Sequence, residues 1–165
     1  MVLAAGVDLA VKRPSALAIF DGSNFWTKFL DNEALAPTLG ALRPELVAVD
    51  APLEVPEGTW REVDLVARKA GLKVLPPGWR GMRALAEEGK RLREELVGRG
   101  IKVIETFPAP LRKLVGLPFE GDLLDAALCA LTAYKCLRKE CYYVRASDGE
   151  MALPVEAALG KSVIF

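Results

Sequence analysis

Three short apolar runs in this sequence stop at an acid: residues 2–8 read VLAAGVD, 46–50 read LVAVD and 101–105 read IKVIE. Runs this short, rich in Val and Ile, are what strands covered on both faces look like. Asp is a poor strand residue, so its place at such a run's end asks for a reason. In open α/β sheets, function gathers at the carboxyl ends of the parallel strands. Neighbouring strands lie about 4.8 Å apart, so acids at adjacent strand ends can share one cation. The plain alternative is that any strand must leave the core and a polar residue marks its exit. One acid would need no more than that; three at equivalent positions are a coincidence that needs explaining.

The rest of the chain supports a mixed α/β architecture. After the first run, Lys12, Arg13 and Pro14 make a turn, and Ala16–Phe20 is a second strand. Asp21-Gly22-Ser23-Asn24 is hairpin chemistry, since Gly and Asn tolerate positive φ. Phe25–Leu30 follows as the third strand of an antiparallel meander. Helices are predicted over Asn32–Leu42, Thr59–Ala70, Met82–Gly98 and Asp122–Leu137, with a short one over Leu111–Val115 and one further strand near Tyr142–Val144. Gly71 is the expected stop of the second helix. Pro108 and Pro110 forbid continuation of the fifth strand. The order βββαβααβα predicts a mixed sheet with helices on both faces, in a single domain spanning 1–165.

Several function classes are excluded by what the sequence lacks. There is no histidine, which removes Ser-His-Asp hydrolysis, Cys-His chemistry and the common zinc enzymes. No apolar run approaches the roughly 18 to 20 residues of a membrane span, and the apolar start carries Asp8 and no basic leader, so it reads as a strand. Cys129, Cys136 and Cys141 lack a fourth ligand and zinc spacing; they read as buried thiols of a cytoplasmic protein. Gln is absent while Glu, Lys and Arg are plentiful, which leans toward a thermophilic source. The 22 basic and 22 acidic residues cancel, so the chain is not a general nucleic-acid glue. Residues 68–102 nevertheless hold ten Lys or Arg against four Glu, a local basic excess that could face an acidic site or form a solvated helix of mixed ion pairs.

Asp122 and Asp125 add two acids at the start of an otherwise apolar helix. Their i, i+3 spacing puts them on one face. They could simply cap the helix and answer its dipole. Docked beside the strand ends, they would instead complete a cage of four or five carboxylates, whose repulsion a hard cation such as Mg²⁺ relieves. Lys12 and Arg13 follow Asp8 and could touch a phosphate. Arg80 and Arg83 flank Gly81-Met82 and could clamp an anion. Trp60 and Trp79 could stack a base, although packing against helices is the simpler role.

The blocks Gly6-Val7-Asp8-Leu9-Ala10, Ala48-Val49-Asp50-Ala51-Pro52-Leu53, Ile104-Glu105-Thr106-Phe107-Pro108-Ala109 and Asp122-Leu123-Leu124-Asp125-Ala126-Ala127-Leu128-Cys129-Ala130-Leu131-Thr132-Ala133 together carry a resemblance. In order and spacing the chain resembles the domain-of-unknown-function family numbered 429, whose members are predicted ribonuclease-H-like nucleases. Arg61, Asp64 and Arg68 also look like that family's arginine and aspartate positions. The resemblance implies a ribonuclease-H-like, five-stranded mixed sheet of order 3-2-1-4-5 with helices on both faces, its first, fourth and fifth strands parallel. It implies a two-metal site for Mg²⁺ or Mn²⁺ with Asp8 bridging, Asp50 second and Asp125, with or without Asp122, from the helix. Glu105 joins the catalytic set less securely, because the fifth strand is not a standard ligand position. Lys12, Arg13, Arg61, Arg80 and Arg83 would bind substrate.

The function expected is therefore metal-dependent phosphodiester hydrolysis on a nucleic acid. The alternative is a non-catalytic binding or scaffold protein on the same fold, which zero net charge favours. A phosphotransferase is discounted, since the chain is too short for a second lobe and shows no glycine-rich phosphate loop. Oligomeric state is not legible.

Overall fold

The computed structural model describes residues 1–159. Its elements are β1 (Ala4–Asp8), β2 (Ser15–Phe20), β3 (Phe25–Leu30), α1 (Asn32–Leu42), β4 (Leu46–Asp50), α2 (Glu62–Lys69), α3 (Arg80–Gly98), β5 (Val103–Thr106), a 3₁₀ turn (Ala109–Leu111), α4 (Gly121–Leu137), β6 (Cys141–Ala146), β7 (Gly149–Pro154) and α5 (Val155–Leu159). One sheet runs in the order β3-β2-β1-β4-β5-β7-β6. β1, β4, β5 and β7 are parallel to their neighbours in that central row, while β2, β3 and β6 pair antiparallel.

The expected order 3-2-1-4-5 is present, but the sheet has seven strands rather than five. The addition is a hairpin at the β5 edge. Its turn carries Ser147-Asp148-Gly149, and the Asp148 carboxylate accepts the backbone N–H groups of Glu62 and Val63 at 2.6 and 3.0 Å. That cap starts α2 three residues later than the sequence suggests. Val144, Met151 and Leu153 of the hairpin bury Val63 and Ala67 of α2. β5 also lies two residues further on than expected. Gly100 adopts φ 77° and Ile101 donates to Leu96 O at 3.0 Å, so the chain is still closing α3 there.

Period-2 alternation divides the core. Ala5, Val7, Leu17, Ile19, Val47 and Val49 meet Leu35 and Leu39 of α1 and Leu92 and Leu96 of α3. The opposite face is lined by small residues, Ala4, Ala16, Ala18 and Ala48, and receives α4. A Cβ on Gly6 would come within 2.1 Å of Ala126 O and Ala130 N. Helix and strand backbones are therefore in contact at this point, and only glycine permits it. Burial on both sides of α4 explains why it is apolar nearly all round.

The cysteines correct the sequence reading. Cys129 is a buried thiol as expected, but Cys136 and Cys141 are joined in a disulfide that ties the end of α4 to the start of β6. None of the described helices is long and apolar enough to cross a membrane.

Candidate metal centre

The site is assembled by the same alternation that packs the sheet. Asp8 and Asp50 are register partners at the ends of parallel β1 and β4. Both follow Ala or Gly on the α4 face, two residues further along their strands. The tight seat of α4 on Gly6 then fixes where its first turns lie. Asp125, one residue before Ala126, arrives over the two strand ends. One carboxylate oxygen from each of Asp8, Asp50 and Asp125 lies within 4.8 Å of the other two. Asp125 is thus on the same side of the sheet as Asp8, as a shared ion requires.

Burial pushes the Asp8 carboxyl up to about 8, helped by the charges of Asp50, Asp122 and Asp125. Asp50 is pushed up to about 7, again by burial first, then by Asp125, with Arg112 pulling the other way. Like charges held this close disfavour full ionisation of the set. Asp122 stands at the edge. It accepts from Arg13 Nε at 2.9 Å, and that bond draws its carboxyl below the usual range.

Glu105 does not join this group. Its register partners are Val49 on β4 and Met151 on β7, so its side chain leaves the sheet on the face opposite Asp50. One residue of register decides the face. There it meets Arg61, which is 3% exposed. Arg61 Nη1 and Nη2 donate to Glu105 at 2.9 and 2.8 Å, while its Nε and Nη2 donate to Asp64 at 2.9 and 2.7 Å. The bonds to two carboxylates hold the guanidinium firmly charged against the opposing effect of burial. Arg61, Asp64 and Glu105 form a buried, closed knot in the wall of the cleft that the aspartates also line, not a set of free ligands.

Arg112 is a neighbour of the acidic group that the sequence did not flag. Its Nε and Nη2 donate to the two oxygens of Asp125 at 2.8 and 2.6 Å. It enters from just past the 3₁₀ turn, in the proline-rich exit from β5. The prolines were readable as a strand stop; the destination of the arginine was not.

The acids open onto a cleft of about 800 Å³, whose lining includes Asp8, Lys12, Arg13, Asp50, Arg80, Arg112, Asp122 and Asp125. Lys12 and Arg80 have no ion-pair partner among the described residues. Of the ten basic residues in 68–102, Arg80 is the one that lines this cleft. Arg83 is instead bound to the carbonyls of Pro56 and Gly58 at 2.9 and 3.2 Å, and Arg91 to Glu88 and Glu95. Trp60 lies under Arg68, whereas Trp79 is 57% exposed.

The donor set suits a hard divalent cation. It offers only carboxylate oxygens, and at a ligand distance of about 2.1 Å trans oxygens of an octahedral ion stand roughly 4.2 Å apart. A span of at most 4.8 Å needs little contraction to reach that. A bound cation would also relieve the repulsion that raises Asp8 and Asp50.

A scan of protein-family models finds no match, and neither does a search of curated proteins. Among solved structures, T. thermophilus RuvC, determined in complex with a Holliday junction substrate, matches with a TM-score of 0.51 and 13% identity. The match covers 84% of this chain and 96% of that one. At this identity the likeness is one of fold: the chain shares the mixed α/β, ribonuclease-H-like architecture of RuvC.

Proposed function

We propose that this protein is a divalent-metal-dependent phosphodiester hydrolase acting on nucleic acid, a member of the family numbered 429 that its sequence blocks resemble. The observation that carries the reading is the convergence of Asp8, Asp50 and Asp125 at parallel strand ends, with oxygens within 4.8 Å, on an open cleft. Mg²⁺ or Mn²⁺ held there would neutralise phosphate charge and make water nucleophilic near neutral pH. Asp8, Asp50 and Asp125 would hold the ions, with Asp8 as the shared ligand that the family resemblance implies. Lys12 and Arg80, which line the cleft without an ion-pair partner among the described residues, would receive backbone phosphates. That the RuvC structure contains a Holliday junction supports nucleic acid as the partner class. A cytoplasmic location belongs to the same proposal.

The test is cleavage of labelled DNA and RNA, including branched substrates, with Mn²⁺ or Mg²⁺ and with EDTA. Cleavage should require the metal. Asp8→Asn keeps the shape, removes one charge, and should slow cleavage by about 3 kcal/mol in barrier, the order seen when one key electrostatic stabiliser is lost. Its metal-free melting temperature should rise, because repulsion in the cluster is relieved.

A second reading keeps the fold without catalysis. Arg112 and Arg13 already bond Asp125 and Asp122, so part of the acidic charge is met internally. On that reading the wild type cleaves no substrate and Asp8→Asn changes only stability.

A further inference from the structure

We infer that Arg112 is a positioning residue of the metal centre: it holds the Asp125 carboxylate as an internal counter-ion and releases it when a divalent cation binds. The inference rests on reading Asp8, Asp50 and Asp125 as metal ligands.

The geometry is specific. Arg112 grips Asp125 with two parallel N–H···O bonds, 2.8 Å to Oδ1 and 2.6 Å to Oδ2. A guanidinium fork of this kind covers the edge of the carboxylate on which both oxygens present their best lone pairs. Asp125 contributes one of the three oxygens that converge at the candidate centre. The fork therefore stands on the ligand that a cation needs, and a divalent ion beside a guanidinium is two positive charges in contact. Each Asp125 oxygen keeps a further lone pair outside the fork, but the cation and the guanidinium compete for one negative charge and repel each other at this range.

Arg112 is also free to leave. Its side chain is 50% exposed, against 11% for Asp125. Asp125 is its one side-chain partner among the described residues, and the cleft lies beside it. Arg61 shows what a fixed arginine looks like in the same fold. Its side chain is 3% exposed, and it bonds Asp64 and Glu105 together. Both arginines line the cleft, but the exposed one with a single acid is built to exchange and the buried one with two is not. While in place, Arg112 keeps the Asp125 carboxylate oriented toward Asp8 and Asp50, so the third ligand is already positioned when a cation arrives.

The experiment is calorimetric titration of Mn²⁺ into the wild type, Arg112→Ala and Arg112→Lys, with melting curves for each with and without Mn²⁺. Removing the competing cation should tighten Mn²⁺ binding in Arg112→Ala by roughly tenfold, the factor that one interaction of ordinary strength is worth. The metal-free melting temperature of Arg112→Ala should fall, and its gain on adding Mn²⁺ should exceed that of the wild type. Arg112→Lys keeps the charge but not the fork, so its affinity should fall between the two; it carries the comparison alone should Arg112→Ala not fold. A folded Arg112→Ala that binds Mn²⁺ no tighter than a wild type that does bind overturns the inference and leaves the metal reading standing. No Mn²⁺ binding by any of the three proteins overturns both.

Discussion

On one face of the sheet a single arginine satisfies two acids; on the other, three acids converge on an open cleft and one arginine holds only one of them. The residue types are the same and the two groups lie within one residue of register along adjacent strands. What differs is the exposure of the arginine, 3% against 50%, and the number of acids it meets. The Arg61 knot is sealed, with Asp64 and Glu105 buried and every oxygen near a donor. In the Asp8 cluster the carboxyls of Asp8 and Asp50 are pushed up to about 8 and about 7. Burial pushes Glu105 up to about 7 as well, against the pull of Arg61, so the two groups differ in how many donors meet each acid and not in the direction of titration. A buried charge group that closes on itself holds a structure together, while one left short of positive charge at a cleft is set to take a cation from outside.

The largest effect that tests this contrast is loss of the sealed arginine. Arg61→Met would leave Asp64 and Glu105 buried without a partner. Breaking a buried pair by removing one partner typically destabilises by about 3–5 kcal/mol, and urea denaturation of the metal-free protein reads it directly. Mn²⁺ affinity measured on the remaining folded protein should change little. A stability loss under about 1 kcal/mol would mean the knot is no more than a surface-like pair and the contrast would collapse.

The second test is pH. Asp8 titrates near 3.8 in an ordinary setting and near 8 in the fold. The folded state therefore binds more protons between those values than the unfolded chain. Stability then falls as pH rises through that window. Asp50 and Glu105, each raised to about 7, contribute with the same sign. Metal-free melting temperatures should decline from about pH 4 toward pH 8 on account of these groups, and Asp8→Asn should flatten the decline. With saturating Mn²⁺ the trend should reverse at the upper end, since a cation binds the ionised carboxylates and their protons must leave. A metal-free profile that does not change on Asp8→Asn would show that the cluster is not short of positive charge.

These two regions were not equally legible in the sequence. The strands β1, β2 and β4 were readable as compact apolar runs and β3 from the hairpin turn before it, whereas the adjacency of β1 and β4, which pairs Asp8 with Asp50, came only with the family resemblance. Asp125 was readable from its i, i+3 partner on an apolar helix. Glu105 looked equivalent to Asp50 because each follows an apolar run, but the strand continues through Thr106 and the register sends Glu105 to the other face. Register across a parallel pair is a tertiary property with no local signal. β7 was missed because GEMALP opens on Gly and Glu and ends on a proline, all poor strand residues, although Asp148-Gly149 is turn chemistry in plain view. Arg112 was missed for a simpler reason: an arginine thirteen residues from its aspartate has no spacing rule to reveal it.

The smallest effect concerns the outermost arginine and completes a graded series. Arg61, Arg112 and Arg13 each bond an acid of the two groups, and their side chains are 3%, 50% and 61% exposed. Arg13 meets Asp122 through one bond at 2.9 Å, with Asp122 itself 31% exposed. Exposed pairs of this kind contribute about 0.2–1 kcal/mol and are screened by salt. Arg13→Ala should therefore lower the melting temperature only slightly, and the difference from wild type should vanish at about 1 M salt, where the Debye length shrinks to about 3 Å. The Asp122 carboxyl, now held low by Arg13, should titrate higher in the variant, a shift that carboxylate NMR resonances would follow. A loss as large as that expected for Arg61→Met, or one insensitive to salt, would mean that Arg13 is as integral to the site as the buried arginine, and exposure would no longer separate the charges that hold this fold from the charges that serve its cleft.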